Sequence, residues 1–419
     1  MKEKKTETHI LKLLFELYKG DSSVTAKNYL NQYTIKDIAN ISVGRDLVES
    51  AFSKKKTATH KYPVYSNSVE NKGLYGFYDF EEYPGSSLTI VGRGVGLGTA
   101  FPRKESFGAI GRLLVLSPKN NKFDVRYLAE YINNKLVIFN ESGGIPQLPG
   151  ESLAKYKVEL PSLPEQKAIV DLLATWDEAI EKTERLIQAK EKRFKWLMRK
   201  LISEPQNAQK GVKWKRAKLG EIGEISSAGV DKTINEKEVP VRLVNYLDVY
   251  RRNFIYSSDL NHQVTAPKEK AKKCSVRQGD VFFTPSSETR HDIGHSAVVM
   301  EDMPDVVYSY HIVRLRLHES FDLRYRAYAF KSEDFFRQAQ KAADGSGQRY
   351  VISQSGFRKI EILFPPFEIQ QQISDILFTA QQEIDLLKQV VEKYKVQKRG
   401  LMQKMLTGEW RIKPETSKL

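Results

Sequence analysis

Three stretches of the sequence hold residue types that could do chemistry. The first is the Pro-Pro-Phe of "LFPPFEIQQQISDIL", Leu363–Leu377. A polar residue followed by Pro-Pro-aromatic can grip an adenine amino group for methylation. Here the leading residue is Phe364, which has no oxygen to accept that hydrogen bond. The second is "GSSLTIVGRGVGLGTAF", Gly85–Phe101, whose alternating glycines resemble a phosphate or S-adenosylmethionine cradle. The following "TAFPRKESFG" lacks a helical apolar pattern, and no acidic residue lies about twenty positions on. The helix N-terminus that would hold a phosphate is therefore missing. A glycine-rich hairpin is expected instead, with Arg93 able to reach a partner. The third is the H-x-x-x-H pair His291 and His295, interrupted by Gly294 and lacking an evident third ligand. The single cysteine, Cys274, excludes internal disulfides and a thiolate zinc cluster. No metal site is expected, and no P-loop or nuclease carboxylate cluster appears.

The remaining chemistry is that of binding. The chain carries 67 Lys and Arg against 52 Asp and Glu, a net charge of +15. Such an excess most often serves nucleic acid, because cations displace counterions condensed on phosphates. Anionic membranes and acidic proteins are the alternatives. Two clusters stand out: Ser53–Lys61, with Lys54, Lys55, Lys56 and Lys61, and Pro267–Arg277, with Lys270, Lys272 and Lys273. Ser286, Ser287, Arg290 and His291 fill a polar loop, and Tyr65, Asn67 and Arg349 complete the candidate DNA-contacting set. Arg can pair bidentately with guanine, and Asn or Gln with adenine.

The elements that must position these residues repeat. "LPSLPEQKAIVDLL" (Leu160–Leu173) aligns with "FPPFEIQQQISDIL" (Phe364–Leu377) at a constant offset of 204, matching Pro161/Pro365, Gln166/Gln370 and Asp171/Asp375. Upstream, "FDVRY" at Phe123–Tyr127 recurs as "FDLRY" at Phe321–Tyr325, and "IKDIANIS" at Ile35–Ser42 as "LGEIGEIS" at Leu219–Ser226. Their offsets differ, so variable blocks of unequal length separate shared framework pieces. After each joint an apolar seam runs in steps of four and three. It comprises Ile169, Leu173, Trp176, Ile180, Ile187, Phe194 and Leu197 in the first copy. In the second it comprises Ile373, Leu377, Ile384, Leu387, Val391, Tyr394 and Leu401. This 3.5-residue period predicts two long helices, each about 60 Å, pairing with one another as an antiparallel coiled coil. Ser162 and Glu165 offer the first helix a capping box. "FPPF" thus occupies the framework position of "LPSL", where prolines fix a strand exit and delay the helix start. It is expected to be a joint rather than a catalytic loop.

Those repeated joints, the helix ends "LMRKLIS" and "LMQKMLTGEW", and the domain openers "YTIKDIANIS" and "WKRAKLGEIGEIS" resemble the specificity subunit of type I restriction-modification systems. The resemblance runs from about Tyr33 to Trp410, with "KYPVYSNSVENKGLYGFYDF" (Lys61–Phe80) similar to a block of the family's recognition domains. It implies an α+β fold of two target-recognition domains separated by an antiparallel coiled coil in a pseudo-two-fold repeat. Each domain would read half of a split target in double-stranded DNA, and this chain would do no chemistry. Two modification subunits would bring S-adenosylmethionine for adenine N6 methylation, and restriction subunits would bring ATP and Mg; none of these cofactors is expected on this chain. The expected layout is an N-terminal helical extension over 1–32, recognition domains over 33–160 and 205–363, spacer helices over 161–204 and 364–408, and a tail over 409–419. No membrane span or signal peptide is apparent, so a cytoplasmic location is expected. The alternatives are a methylation-only complex, a lone adenine methyltransferase resting only on "FPPF" and the glycine run, and a coiled-coil scaffold without sequence-specific DNA binding.

Overall fold

The computed structural model describes residues 30–204, 211, 213–318 and 320–412. Of the expected N-terminal helical extension, residues 1–29 lie outside the described residues, as do Pro205 and the tail beyond Ile412; Asn31 and Gln32 are strand. Among the described residues the helices of ten or more residues are α1 (Val125–Asn134), α2 (Leu163–Met198), α3 (Glu333–Ala342) and α4 (Phe367–Leu406). No described helix is long and apolar enough to cross a membrane. The chain divides into two units, residues 1–182 with 390–419 and residues 183–389.

The first unit holds two four-stranded sheets. One runs Ala39–Val43, Leu114–Pro118, Ser87–Ile90, Ala100–Arg103, all antiparallel. The other runs Phe52–Ser53, Leu74–Tyr78, Tyr62–Tyr65, Gly108–Ala109, the last pair parallel. A two-stranded ladder, Asn31–Thr34 on Lys157–Leu160, closes the unit and leads into α2. The α1 helix starts where the Asp124 side chain accepts from the Arg126 and Tyr127 amides, satisfying two first-turn donors. It buries Tyr127, Leu128, Tyr131 and Ile132, spaced one turn apart, against the first sheet. Its Asn133 exchanges two hydrogen bonds with the backbone of Ala100.

The second unit has the same plan with larger sheets. Five strands run Gly223–Ser226, Val313–Leu317, Val281–Phe283, Ser296–Val299, Phe254–Ile255, and four run Gln263–Ala266, Val239–Val244, Met303–Tyr308, Ser275–Val276. The ladder Lys215–Lys218 on Glu361–Phe364 repeats the closing pair of the first unit. Between the five-stranded sheet and α3 lies an aromatic core of Phe283, Phe330, Phe335 and Phe357, with Phe283 within 5.3–5.8 Å of the other three rings.

The repeated sequence pieces are one device built twice. In the first unit Gln166 is buried; its Oε1 accepts from the Asp124 amide at 2.9 Å and its Nε2 donates to the carbonyls of Pro161 and Lys122, both at 2.9 Å. In the second unit Gln370 accepts from the Asp322 amide at 3.0 Å and donates to the Pro365 carbonyl at 2.9 Å. Ion pairs Arg126–Asp171 (2.6 Å) and Arg324–Asp375 (3.1 Å) sit beside the two glutamines. Each clasp fastens the start of a long helix to the sheet-bearing domain of its own unit. The role of "FPPF" follows: Phe364 ends a strand and packs on Phe321 at 4.7 Å, while Pro365 supplies an acceptor. The expected capping-box partner Glu165 behaves differently, because both its carboxylate oxygens accept from Arg411.

The long helices pair antiparallel within each unit. In the first, Asp177 meets Lys398 at 2.6 Å and Trp176 meets Tyr394 edge to face, while Glu165 lies against Arg411. In the second, Lys190 meets Glu383 and Glu191 meets Lys388, and Phe194, Leu197 and Leu201 join Ile373 and Leu377 in one core. Every expected seam residue is buried or half-buried, whereas Leu186, Trp196, Ile376, Leu386 and Val396, off the 3.5-residue period, are exposed. Near the start of α2 the apolar face widens: Val170 and Leu172 are buried along with Ile169 and Leu173, because this segment packs on its recognition domain as well as on α4. The helix ends in a π turn, Arg199–Ser203, with Arg199 and Lys200 both paired to Glu204.

One half-buried cation in the second unit gives a test of the fold. The Lys331 ammonium donates to Asn253 Oδ1, and burial pushes its pKa down to about 8. Between about pH 8 and the ordinary lysine value of 10.5 the unfolded chain holds a proton that the folded chain lacks. Stability therefore rises with pH across that window, and the cost of burying the charge is present in full below it. Lys331→Met is expected to flatten this rise, read as urea midpoints at pH 7 and pH 10. A variant whose two midpoints differ as much as the parent's would contradict the burial of the charge.

Candidate nucleic-acid interface

The structure distributes the expected DNA-contacting residues over several surfaces. In the first unit, Lys54, Lys55 and Lys56 follow strand Phe52–Ser53 and are exposed. Lys54 is partly committed: its Nζ donates to the Tyr75 carbonyl at 2.9 Å and lies 4.2 Å from the Tyr75 ring centroid. Lys61 is exposed and its Nζ lies 5.2 Å from the Tyr62 ring. Lys55 and Lys56 are thus the cations of this cluster best placed to meet phosphate.

Tyr65 and Asn67 have structural duties that the sequence did not disclose. Tyr65 is half-buried, with the Arg103 guanidinium 3.4 Å from its ring centroid. Arg103 is itself buried, donates to Thr89 Oγ1 and the Lys72 carbonyl, and has its pKa pushed down to about 10 by loss of water. Asn67 uses both ends of its amide internally: Oδ1 accepts from the Gly92 amide at 2.8 Å and Nδ2 donates to the Gly111 carbonyl. Its amide thus braces two loops.

The glycine run forms the expected hairpin between strands Ser87–Ile90 and Ala100–Arg103. Gly94, Gly96 and Gly98 all have φ near +85°, and the carbonyl of Gly96 accepts from both the amide and the hydroxyl of Thr99. A strand rather than a helix follows, so no helix N-terminus faces the loop. Arg93 is exposed at its start. Together with Arg112 and Gln147 it lines a cleft of about 120 Å³, whose other walls are Val43, Gly92, Leu114, Leu148, Pro149 and Gly150. Neither Arg112 nor Gln147 was among the sequence candidates. Arg112 carried one local signal, the Gly-Arg pair between apolar runs that marks a tight turn. Gln147 carried none.

In the second unit Lys270, Lys272 and Lys273 lie on the short helix Lys268–Lys273. Lys270 is 3.6 Å from Asp231, while Lys272 and Lys273 are exposed. Ser286, Ser287, Arg290 and Arg349 are brought together. Ser286–Ser287 pairs with strand Arg349–Ile352, Arg349 donates to Ser286 Oγ at 3.4 Å, and the Arg290 guanidinium lies 5.0 Å from the Tyr350 ring. His291 is exposed; His295 is turned to Asp292 at 2.8 Å, whose other oxygen accepts from Tyr250. The two histidines do not converge, and no group of three or more His, Cys, Asp or Glu among the described residues is placed to hold a metal. Near this surface, residues not singled out from sequence add to it: Tyr310 is half exposed and its ring lies 3.9 Å from that of His311. Loss of water, then Lys232 and Arg349, lower the His311 pKa from its ordinary value. The exposed Arg290, Arg349 and Tyr310, with the half-buried Ser286 and Ser287, are residue types that can donate to phosphates and base edges and can stack.

The family model described as type I restriction modification DNA specificity domain matches residues 29–191 and 211–394. A Mycoplasma pneumoniae protein named as a type I specificity subunit is 23% identical over 352 residues, covering 83% of this chain and 88% of that one. The type I restriction enzyme MjaVIII specificity subunit of Methanocaldococcus jannaschii is 24% identical over 319 residues, covering 72% and 74%. The crystal structure of a type I restriction-modification S subunit from M. genitalium shares the fold, with a TM-score of 0.58 at 15% identity over 92% of this chain and 97% of that one. A chain from a structure described for complex assembly and conformational transition of the type I system has a TM-score of 0.55 at 13% identity, covering 92% and 99%.

Proposed function

The chain belongs to the type I restriction-modification DNA specificity family, and from that membership we propose that it is the non-catalytic subunit that chooses the DNA sequence on which partner enzymes act. The observation that carries the reading is the duplicated clasp: two recognition domains, each fastened by Gln166 or Gln370 to a long helix. Two such domains in one chain read two half-sites, and the helices between them set an unspecified gap. Modification subunits that methylate adenine N6 with S-adenosylmethionine, and restriction subunits that use ATP and Mg, are the partners; this chain binds none of those cofactors. The complex works on cytoplasmic DNA.

The test is to map N6-methyladenine in a methylation-free host that carries the neighbouring modification subunit, with and without this chain. A split motif that appears only with this chain is expected. No motif in either case, with both proteins soluble and associated, would overturn the reading and favour a coiled-coil scaffold.

A further inference from the structure

Within the first recognition domain the cleft between Arg93, Arg112 and Gln147 has a construction that a solvated loop does not require. Arg112 has φ +66° and follows Gly111 at φ +65°, so both centre residues of the turn Ile110–Leu113 adopt the left-handed conformation. That turn suits Gly or Asn; an arginine there is strained by about 1 kcal/mol or more. The conformation is held from several sides. Arg112 and Gly111 donate to the carbonyls of Gly44 and Arg45, and Gly44 and Arg45 donate back to those of Leu113 and Ala109. Asn67 then ties Gly111, beside Arg112, to Gly92, beside Arg93. One buried-edge amide thus fixes the roots of two arginines from loops about twenty residues apart. On the opposite wall Gln147 is registered against Arg93 through a backbone bridge.

The side chains of Arg93, Arg112 and Gln147 make no ion pair or hydrogen bond within the described residues. A Cβ built on Gly92 would meet the Arg112 carbonyl at 2.9 Å, so a glycine there lets the two arginine-bearing loops pack closely together. A volume of about 120 Å³ falls well under the roughly 300–1,000 Å³ of sites that enclose a cofactor. Two forked cations and one amide in a shallow, rigid cleft match the donor and acceptor pattern of base edges. Arg pairs with guanine O6 and N7, and Gln with adenine N6 and N7. Phosphate contacts, by contrast, need charge and tolerate loose side chains, as at Lys55 and Lys56.

We propose that this cleft is the direct-readout element of the first recognition domain: Arg112, with Arg93, takes the major-groove edge of guanine in duplex DNA, Gln147 takes a neighbouring base, and Asn67 is the positioning residue that holds the cleft in register. The proposal rests on the specificity reading above and adds to it which residues choose the bases of one half-site.

The experiment uses the full chain with its modification subunits and the duplex motif mapped for the unsubstituted protein. Arg112→Gly keeps the left-handed turn, relieves its strain and removes the guanidinium, so folding is retained. Binding to the mapped duplex is expected to fall about 5- to 150-fold, as one bidentate pair is worth about 1–3 kcal/mol. The methylation motif should become degenerate at one guanine of one half-site while the other half-site stays unchanged. Asn67→Ala should blur that same position and its neighbour, and Asn67→Asp, which keeps the acceptor for Gly92, should blur them less. Equal weakening on all sequences with a salt slope reduced by about one would make Arg112 a phosphate contact and overturn the proposal. An unchanged motif in Arg112→Gly would overturn it as well. Absence of any motif with the unsubstituted chain would instead defeat the specificity reading itself.

Discussion

Replacing Lys55, Lys56, Lys272 and Lys273 together by alanine is expected to lower affinity for duplex DNA about a thousand-fold at 0.15 M salt. A phosphate contact contributes a slope of about −0.9 in log K against log salt, so each is worth about fivefold relative to 1 M salt. Four independent contacts multiply to roughly three decades. These four lysines are exposed members of the two basic clusters; Lys54 is engaged by Tyr75, Lys61 lies over Tyr62 and Lys270 lies near Asp231, so those three are left out of the set. The loss should be the same for the mapped target and for unrelated duplexes, and the salt slope should become shallower by three to four. The measurement is a binding titration of the assembled complex at several salt concentrations. If the motif preference changed while the salt slope did not, these lysines would be reading bases rather than neutralising phosphate.

Removing a clasp glutamine is expected to have the largest effect on stability. Gln370→Ala leaves the Asp322 amide and the Pro365 carbonyl without their partner in a buried joint. Each unsatisfied buried group costs about 1–3 kcal/mol, so a loss of roughly 2–4 kcal/mol is expected for the second unit. Gln166→Ala should cost more, because a third partner, the Lys122 carbonyl, is also orphaned. The two units give separate transitions if their folding is independent, and urea unfolding followed by tryptophan fluorescence distinguishes them: Trp176 lies in the first unit, Trp214 in the second. Equal and small changes for both variants would mean that the clasps are decoration and that seam packing alone holds each helix to its domain. The ion pairs Arg126–Asp171 and Arg324–Asp375 are partly exposed and are expected to contribute little by comparison.

Several features of the molecule could be read without coordinates, and each has a local cause. The seam of α2 and α4 was visible because a 3.5-residue period is a property of neighbouring positions on one helix. The duplicated joint was visible because a clasp needs the same residue types at the same spacing wherever it is built. Gln166 and Gln370, or Asp171 and Asp375, are identical for that reason. The rejection of "FPPF" as a methylation loop required only the missing oxygen on Phe364, and the glycine run was separable from a nucleotide loop by the absence of a following helix.

What binds was harder to read, since it depends on strands that meet across long sequence separations. Asn67 looked like a reader of adenine by residue type; only the pairing of Tyr62–Tyr65 with Gly108–Ala109 carries it between Gly92 and Gly111, where its amide ties two loops together. Arg112 looked like one more surface cation until the ladder around Gly44 fixed its backbone in a left-handed turn. Gln147 had no signal at all, as its place beside Arg93 comes from a single bridge between loops. Sequence by itself determined the family, the two-fold repeat and the helical seam, because these rest on composition, spacing and period. Tertiary structure alone decided which polar side chains are engaged within the fold and which are left open, because their hydrogen-bonding partners come from segments that meet only when the chain folds.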